Sequence, residues 1–358
     1  VPIIVSNVYP PDRGGIQTMM ASLADVAAAE TEVVVVAPSM AGSAAFDSTK
    51  GYRAVRFLDL RRPANAVTLM LAFVKALTIA RDRTTLAANW WPSGLPLAIM
   101  PRFLRGKLAI FAHGSDVAPE RSGLRKAAMR YAFSRADVIF ANSRFTEGLL
   151  AKAGVTNRVR IVALGVDAEP IEPAPSSVPT VLSVGRLVER KGFDRIIEAL
   201  VQLRRLYPNI RYEIVGDGPE RSRLGALAQH FGVTDSVVFL GGLRQRDMRL
   251  AYARAWCFAL PVREVGNDVE GFGIVYLEAA MASLPAIGGL RSGAADAIVD
   301  GETGYLVDGN DAEAVGTAIA KLLADPDRAR QMGARAFERA KTFTWQRTYE
   351  TIKLALRT

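Results

Sequence analysis

Short apolar runs rich in Val, Ile and Leu alternate along the chain with longer stretches whose apolar positions recur every three to four residues. The short runs predict strands over 2–8, 32–37, 53–57, 85–89, 107–112, 137–141 and 160–163. A second series follows at 180–185, 211–215, 236–240, 256–260, 285–288 and 304–307. Several runs lack polar alternation, as expected of parallel strands covered by helices on both faces. Helical periods fill the gaps, clearly so over 193–206 and 312–324, and residues 345–356 read as a closing amphipathic helix. Two consecutive strand–helix series predict an α/β chain of two doubly wound domains. The boundary is expected at 169–179, where Pro170, Pro173, Pro175 and Pro179 stop helices and central strands. This gives domains at 1–168 and 180–342, with 343–358 as a C-terminal helix free to pack back on the first.

Composition narrows the class. The 358 residues are half hydrophobic and 23% charged, which excludes wholesale disorder and leaves room for two cores. A single cysteine, Cys257, excludes an internal disulfide and a Cys-based zinc site, and points to a reducing compartment. The most apolar stretch, 67–80, contains Lys75 and falls short of the ~20 residues a spanning helix needs. No leader pattern opens the chain, and Val1 stands almost inside the first strand, as if an initiator methionine were missing. The net charge is +9, unevenly spread: residues 1–170 hold 21 Lys/Arg against 13 Asp/Glu, and 171–358 hold 24 against 23. The first half therefore expects an anionic partner, whether nucleic acid, an acidic membrane or a phosphate-bearing substrate. Solubility alone is the alternative.

Ligands of open α/β sheets bind beyond the carboxyl ends of the strands, and the motifs fall there. Gly14-Gly15 follows the first strand and two prolines, and could present helix amides to an anion; an ordinary turn would read the same. Neither the dinucleotide nor the P-loop glycine signature occurs. His113-Gly114 closes the fifth strand, a candidate substrate contact, although a lone histidine is more often structural. His230 reads as solvated or capping. The second domain opens with Gly185-Arg186 at a strand end and Lys191 at the next helix, two cations able to neutralise a diphosphate. Asp217, in Gly-Asp-Gly-Pro, is turn chemistry first and a site second. Glu270-Gly-Phe-Gly-Ile-Val-Tyr-Leu-Glu278 predicts a loop opening onto a helix. Its two carboxylates would accept from sugar hydroxyls, and its Phe272, Gly273 and Ile274 amides would donate to phosphate. Asp325-Pro-Asp327 reads as a helix start, not a metal site. Residues 121–135 suit an interfacial helix, with Leu124, Ala127, Ala128 and Tyr131 toward the core and Arg125, Lys126, Met129, Arg130 and Phe133 on the other face.

Together these motifs resemble glycosyltransferase family 4, retaining enzymes of the GT-B fold in which two Rossmann-like domains face a cleft. The matches are Gly14-Gly15-Ile16, His113-Gly114, Gly185-Arg186 with Lys191, and the E-x7-E pair Glu270 and Glu278, in the family's order over nearly the whole chain. The resemblance implies a nucleotide-sugar donor on the second domain and the acceptor on the first. By position, Glu278 would hold the ribose, Glu270 the sugar hydroxyls, and Arg186 and Lys191 the diphosphate, with Gly15 closing over it. His113 would stand by the transferred sugar; Gly14, Gly185 and Asp217 would complete the donor site. No metal and no cofactor would be required. Residues 264–278 look most like bacterial mannosyltransferases acting on phosphatidylinositol or polyprenyl-diphosphate glycans, favouring GDP-mannose over a UDP-sugar. Arg121, Arg125, Lys126 and Arg130 would meet the acceptor or an anionic membrane, making the enzyme a peripheral protein at the inner face of a bacterial cytoplasmic membrane. A nucleic-acid-binding protein is a distant alternative, since basic runs interleaved with aromatics are missing, and an epimerase or phosphorylase would share the fold.

Overall fold

The structure, a computed structural model, describes residues 3–59, 64–118, 123–167 and 169–357. They form two compact units, one of residues 1–165 with 344–358, the other of 166–343. In the first, seven parallel strands run β1 (Ile3–Val5), β2 (Val34–Ser39), β3 (Arg53–Leu58), β4 (Thr85–Ala87), β5 (Leu108–Ala112), β6 (Val138–Ala141) and β7 (Val159–Ile161). Their spatial order is β3-β2-β1-β4-β5-β6-β7. In the second, β8 (Thr180–Val184), β9 (Arg211–Val215), β10 (Val237–Gly241), β11 (Cys257–Leu260), β12 (Ala286–Gly289) and β13 (Gly304–Val307) lie in the order β10-β9-β8-β11-β12-β13. The order reverses at β1/β4 in one sheet and at β8/β11 in the other, and such reversals open a crevice beyond the strand ends.

The absence of alternation in the strand sequences has its cause in burial. All five residues of β5 and of β8 are buried, with helices on both faces. Ile4 pairs with Val35 and Leu86, and Leu182 with Glu213 and Phe258, so each sheet is built outward from its central strand.

The proline-rich stretch is not a free tether, and the chain leaves the first unit earlier, after Gly165. Ile171 N–H donates to the Met281 carbonyl (2.9 Å), Ala174 to Ala253 (2.8 Å) and Ser176 to Arg254 (2.9 Å). Proline stops regular structure, but the residues between prolines keep their N–H groups, and these dock the stretch on the second unit. The helix Trp345–Arg357 belongs to the first unit. There Thr348 donates to the Ala163 carbonyl (2.9 Å), Lys107 to that of Leu356 (2.7 Å), and Lys353 pairs with Glu30.

Candidate active site

At the switch point of the second unit, Gly185 follows β8 and the chain turns through a short 3-10 segment, Glu189–Lys191, into the helix Phe193–Leu206. Lys191 is buried, and its Nζ lies 2.6 Å from Glu270 Oε2. A Cβ placed on Gly185 would stand 3.8 Å from the same Nζ. Arg190 completes the cluster, with Nη1 2.7 Å from Glu270 and Nε 2.7 Å from Asp268. Burial alone would push the Glu270 carboxyl up; Lys191 and then Arg190 outweigh it and hold it below the usual carboxylate range. Glu270 is therefore a fixed anion.

Close backbone approach sets the surrounding turns. Gly216, at φ +127°, ends β9 so near Gly185 that a Cβ there would sit 2.0 Å from the Gly185 carbonyl oxygen. Leu187 N–H donates to the Asp217 carbonyl (2.9 Å), tying the two turns together. The Asp217 side chain is exposed and accepts from Gly218 N–H at 2.7 Å. Gly293 N–H donates to the Glu270 carbonyl (3.0 Å), and a Cβ on Gly293 would lie 1.8 Å from the Gly271 carbonyl oxygen.

The 270–274 turn opens onto the helix Ile274–Met281, with Gly273 as a left-handed N-cap. The first amides of any helix lack an internal acceptor, so those of Ile274 and Val275 are available to an anion. Phe272 is buried, its ring 6.3 Å from that of Phe343, so only its backbone can serve a ligand. Glu278, on the next turn, accepts from the Tyr252 hydroxyl at 2.8 Å. Burial raises its carboxyl above the ordinary value and Asp167 adds to this, the Tyr252 bond opposing both. The two glutamates thus differ: one is kept ionised by cations, the other is held nearer to protonation.

The second unit therefore brings Gly185, Lys191 and Glu270 together, with Asp217 one turn away. Arg186 is exposed and, among the described residues, forms no ion pair with a carboxylate. The ion-pairing arginine is Arg190, whose signal stood in the sequence beside Lys191. Arg263, a further residue without a sequence signal, is buried and forks onto Asp194 with two bonds of 2.8 Å. It fixes the exit of β11 to the start of the Phe193–Leu206 helix.

In the first unit His113 follows β5. Its Nε2 lies 2.6 Å from the Ala88 carbonyl, its backbone N–H donates to Asp116 (2.8 Å), and its ring stacks on Phe111 at 5.8 Å. A carbonyl only accepts, so Nε2 donates to it. At the β1/β4 reversal, Asn89 donates to Asn7 (2.6 Å) and caps Ser93 N–H (3.2 Å), a polar cluster seen only once the strand ends are adjacent. Gly15 begins the helix Gly15–Ala28, exposed and with open space where a Cβ would be. Gly14 lies against the Gln17 side chain.

The helix Gly123–Arg135 reverses the expected faces. Met129, Ala132 and Phe133 are buried, whereas Leu124 (88% exposed) and Tyr131 face solvent. Met129, Ala132 and Phe133 recur at i, i+3 and i+4 and make one continuous apolar stripe, while Tyr131 keeps its polar phenol toward water. Leu124 stands among the cations instead of opposite them. Arg125 lies 5.6 Å from the Trp90 ring, and Arg130 turns to the loop after Lys152. Arg121 lies outside the described residues.

Residues 13–170 match the profile of Glycosyltransferase Family 4, and 167–339 that of Glycosyl transferases group 1. A GDP-mannose-dependent alpha-(1-6)-phosphatidylinositol monomannoside mannosyltransferase of Mycolicibacterium smegmatis is 34% identical over 92% of this chain and 91% of its own length. The chain belongs to glycosyltransferase family 4. A monoacylated phosphatidylinositol monomannoside mannosyltransferase of Corynebacterium glutamicum, also GDP-mannose-dependent, is 31% identical over 93% of the chain and 91% of its own length. Among solved structures, sucrose-phosphate synthase of Thermosynechococcus elongatus shares the fold at TM-score 0.83 and 23% identity, covering 99% of this chain and 98% of that one. Anabaena HepE with UDP and glucose does so at TM-score 0.83 and 18% identity over the whole of both chains. This family 4 glycosyltransferase is thus a GT-B protein, its two Rossmann-like units being those its sequence motifs implied.

Proposed function

We propose that this enzyme transfers mannose from GDP-mannose to a phosphatidylinositol-type glycolipid with retention of anomeric configuration and without a metal ion. The observation that carries the donor and acceptor is the activity of the mycobacterial relatives, GDP-mannose-dependent phosphatidylinositol monomannoside mannosyltransferases 34% identical over nine-tenths of the chain. The local chemistry supports it. Glu278 accepts from the ribose hydroxyls, while Glu270 accepts from sugar hydroxyls. Lys191, Arg186 and the amides at the start of the Ile274–Met281 helix take the diphosphate.

In the reaction, the bond from the anomeric carbon to the leaving phosphate oxygen breaks with its electron pair on that oxygen. The acceptor oxygen bonds to the same face of the sugar and gives its proton to the departing phosphate. Negative charge grows on the diphosphate as this happens, and fixed cations and amides stabilise that charge more than the ground state. The family resemblance assigns His113 to a hydroxyl of the transferred sugar.

The acceptor's membrane meets the first unit. Helices Ala64–Ile79, Leu95–Ile99 and Gly123–Arg135 pack side by side and expose Leu71, Ile99, Leu124 and, on the adjoining turn, Phe103, with Arg102, Arg125 and Lys126 among them. Apolar tips among cations suit an anionic bilayer surface, and no helix among the described residues is long and apolar enough to cross one. The site of action is then the inner face of the cytoplasmic membrane.

The test is transfer from GDP-mannose to phosphatidylinositol monomannoside with EDTA present, the product's anomeric linkage read by NMR. An α-linked product formed at full rate in EDTA is expected. A β-linked product, abolition by EDTA, or transfer only from UDP-sugars would overturn the corresponding part of the proposal.

A further inference from the structure

The opposite end of the first sheet holds a cavity that the transfer reaction does not use. It lies at the amino ends of β6 and β7, whereas His113 and the asparagine cluster stand at the carboxyl ends of their strands. Its volume is about 400 Å³, within the range of small-molecule sites. Phe133, Ile139 and Val155 make a buried apolar floor, and Ser134, Thr156 and Asn157 supply polar groups. Arg130 and Arg158 bring two guanidinium groups, and no carboxylate is among the lining residues. The acid nearest in sequence to the β6 edge, Asp137, is taken by Arg102 at 2.9 Å and Arg105 at 3.5 Å.

Two backbone features hold the arginines there. Gly154, at φ +80°, ends the helix Arg144–Lys152 so close to Arg130 that a Cβ would stand 2.0 Å from Nη2. Arg158 is itself left-handed at φ +62°, a conformation costly for a residue with a Cβ. It is locked by its Nη1 donating to the Ala136 carbonyl (3.1 Å) and by its own carbonyl accepting from Ile139 N–H (2.9 Å). Both arginines stand at the exposed rim of this open pocket, with no carboxylate among its lining residues, so an anion there gains charge-assisted hydrogen bonds from them.

We propose that this cavity binds the phosphate ester of a small polyol, its phosphate between Arg130 and Arg158, its hydroxyls on Thr156 and Asn157 and its carbons on the Phe133 floor. The ester is either soluble or the headgroup of a lipid. The inference goes beyond the proposed transfer, and its test reads binding, not turnover.

The amide signals of Gly154, Thr156 and Asn157 in the full chain are followed by TROSY NMR during titration with glycerol 3-phosphate, against sodium chloride at matched ionic strength. Saturable shifts are expected with the ester only, weakened at least about tenfold in Arg130→Gln. Thr156→Glu, which places a carboxylate in the cavity from an exposed position, gives the same loss and serves as the second variant should the first fail to fold. A parallel arm measures co-sedimentation with phosphatidylcholine vesicles with and without phosphatidylglycerol. Loss of phosphatidylglycerol-dependent binding in both variants identifies the lipid headgroup, and vesicle binding untouched by either variant, with the ester shifts of the wild type lost in both, identifies a soluble ester. Absence of saturable shifts in the wild type, or shifts unchanged in both variants, overturns the proposal.

Discussion

Glu270 and Glu278 are eight positions apart, yet their surroundings set them to different tasks. Glu270 is buried beside Lys191 and Arg190 and stays ionised, while Glu278 is buried beside a neutral phenol and its carboxyl is raised. In the proposed ribose-binding role, only an ionised Glu278 would accept fully from two hydroxyls. Nucleotide affinity should therefore weaken on acidification, beginning above the usual carboxylate range and recovering as pH rises. Titration calorimetry with GDP at several pH values checks this, and in Glu278→Gln the dependence should flatten onto uniformly weaker binding. A wild-type affinity constant down to the ordinary carboxylate range would detach the nucleotide from Glu278. At this scale the sequence spoke unevenly. Lys191 and both glutamates carried a spacing signal, whereas Tyr252, Arg263 and the Asn7/Asn89 pair gained meaning only when the fold brought distant strand ends together.

The elements were the legible part. Each of the thirteen strands among the described residues lies within a residue or two of where apolar runs placed it, except that β1 and β4 stop earlier, because Ser6-Asn7 and Ala88-Asn89 turn out toward the switch crevice. Helical faces were less legible. In Gly123–Arg135 both faces offered one aromatic and one long apolar residue, and the buried stripe is Met129, Ala132 and Phe133, leaving Leu124 and Tyr131 outside. Turns are where single atoms decide. Gly293 admits no side chain, since its Cβ would lie 1.8 Å from the Gly271 carbonyl oxygen, while a Cβ on Gly242 meets nothing. Gly293→Ala should shift the 270–274 turn, costing about 1–3 kcal/mol by overpacking and weakening nucleotide binding. Gly242→Ala should be nearly neutral. Thermal melts with and without GDP compare them, and equal behaviour of the two would detach that turn from the nucleotide.

For the whole molecule, the charge excess of residues 1–170 becomes a surface property of the first unit, and Phe103 (78% exposed) and Leu124 give it apolar tips. Binding to phosphatidylglycerol-containing vesicles should fall steeply between low and physiological salt, as screening shortens the reach of surface charge. Phe103→Ser with Leu124→Ser should weaken it further at every salt concentration. Salt-independent binding, or none lost in the double variant, would count against this face. The second unit, nearly neutral overall, sets Lys191 and Arg190 on the buried Glu270 beyond the end of β8, and the account rests on that place. The most direct measurement is titration calorimetry of GDP-mannose in EDTA against the wild type and Lys191→Ala. Saturable binding in the wild type, with affinity and subsequent turnover reduced about a hundredfold or more in the variant, is the predicted result. Equal binding and turnover by both proteins, or no binding without metal, would contradict it.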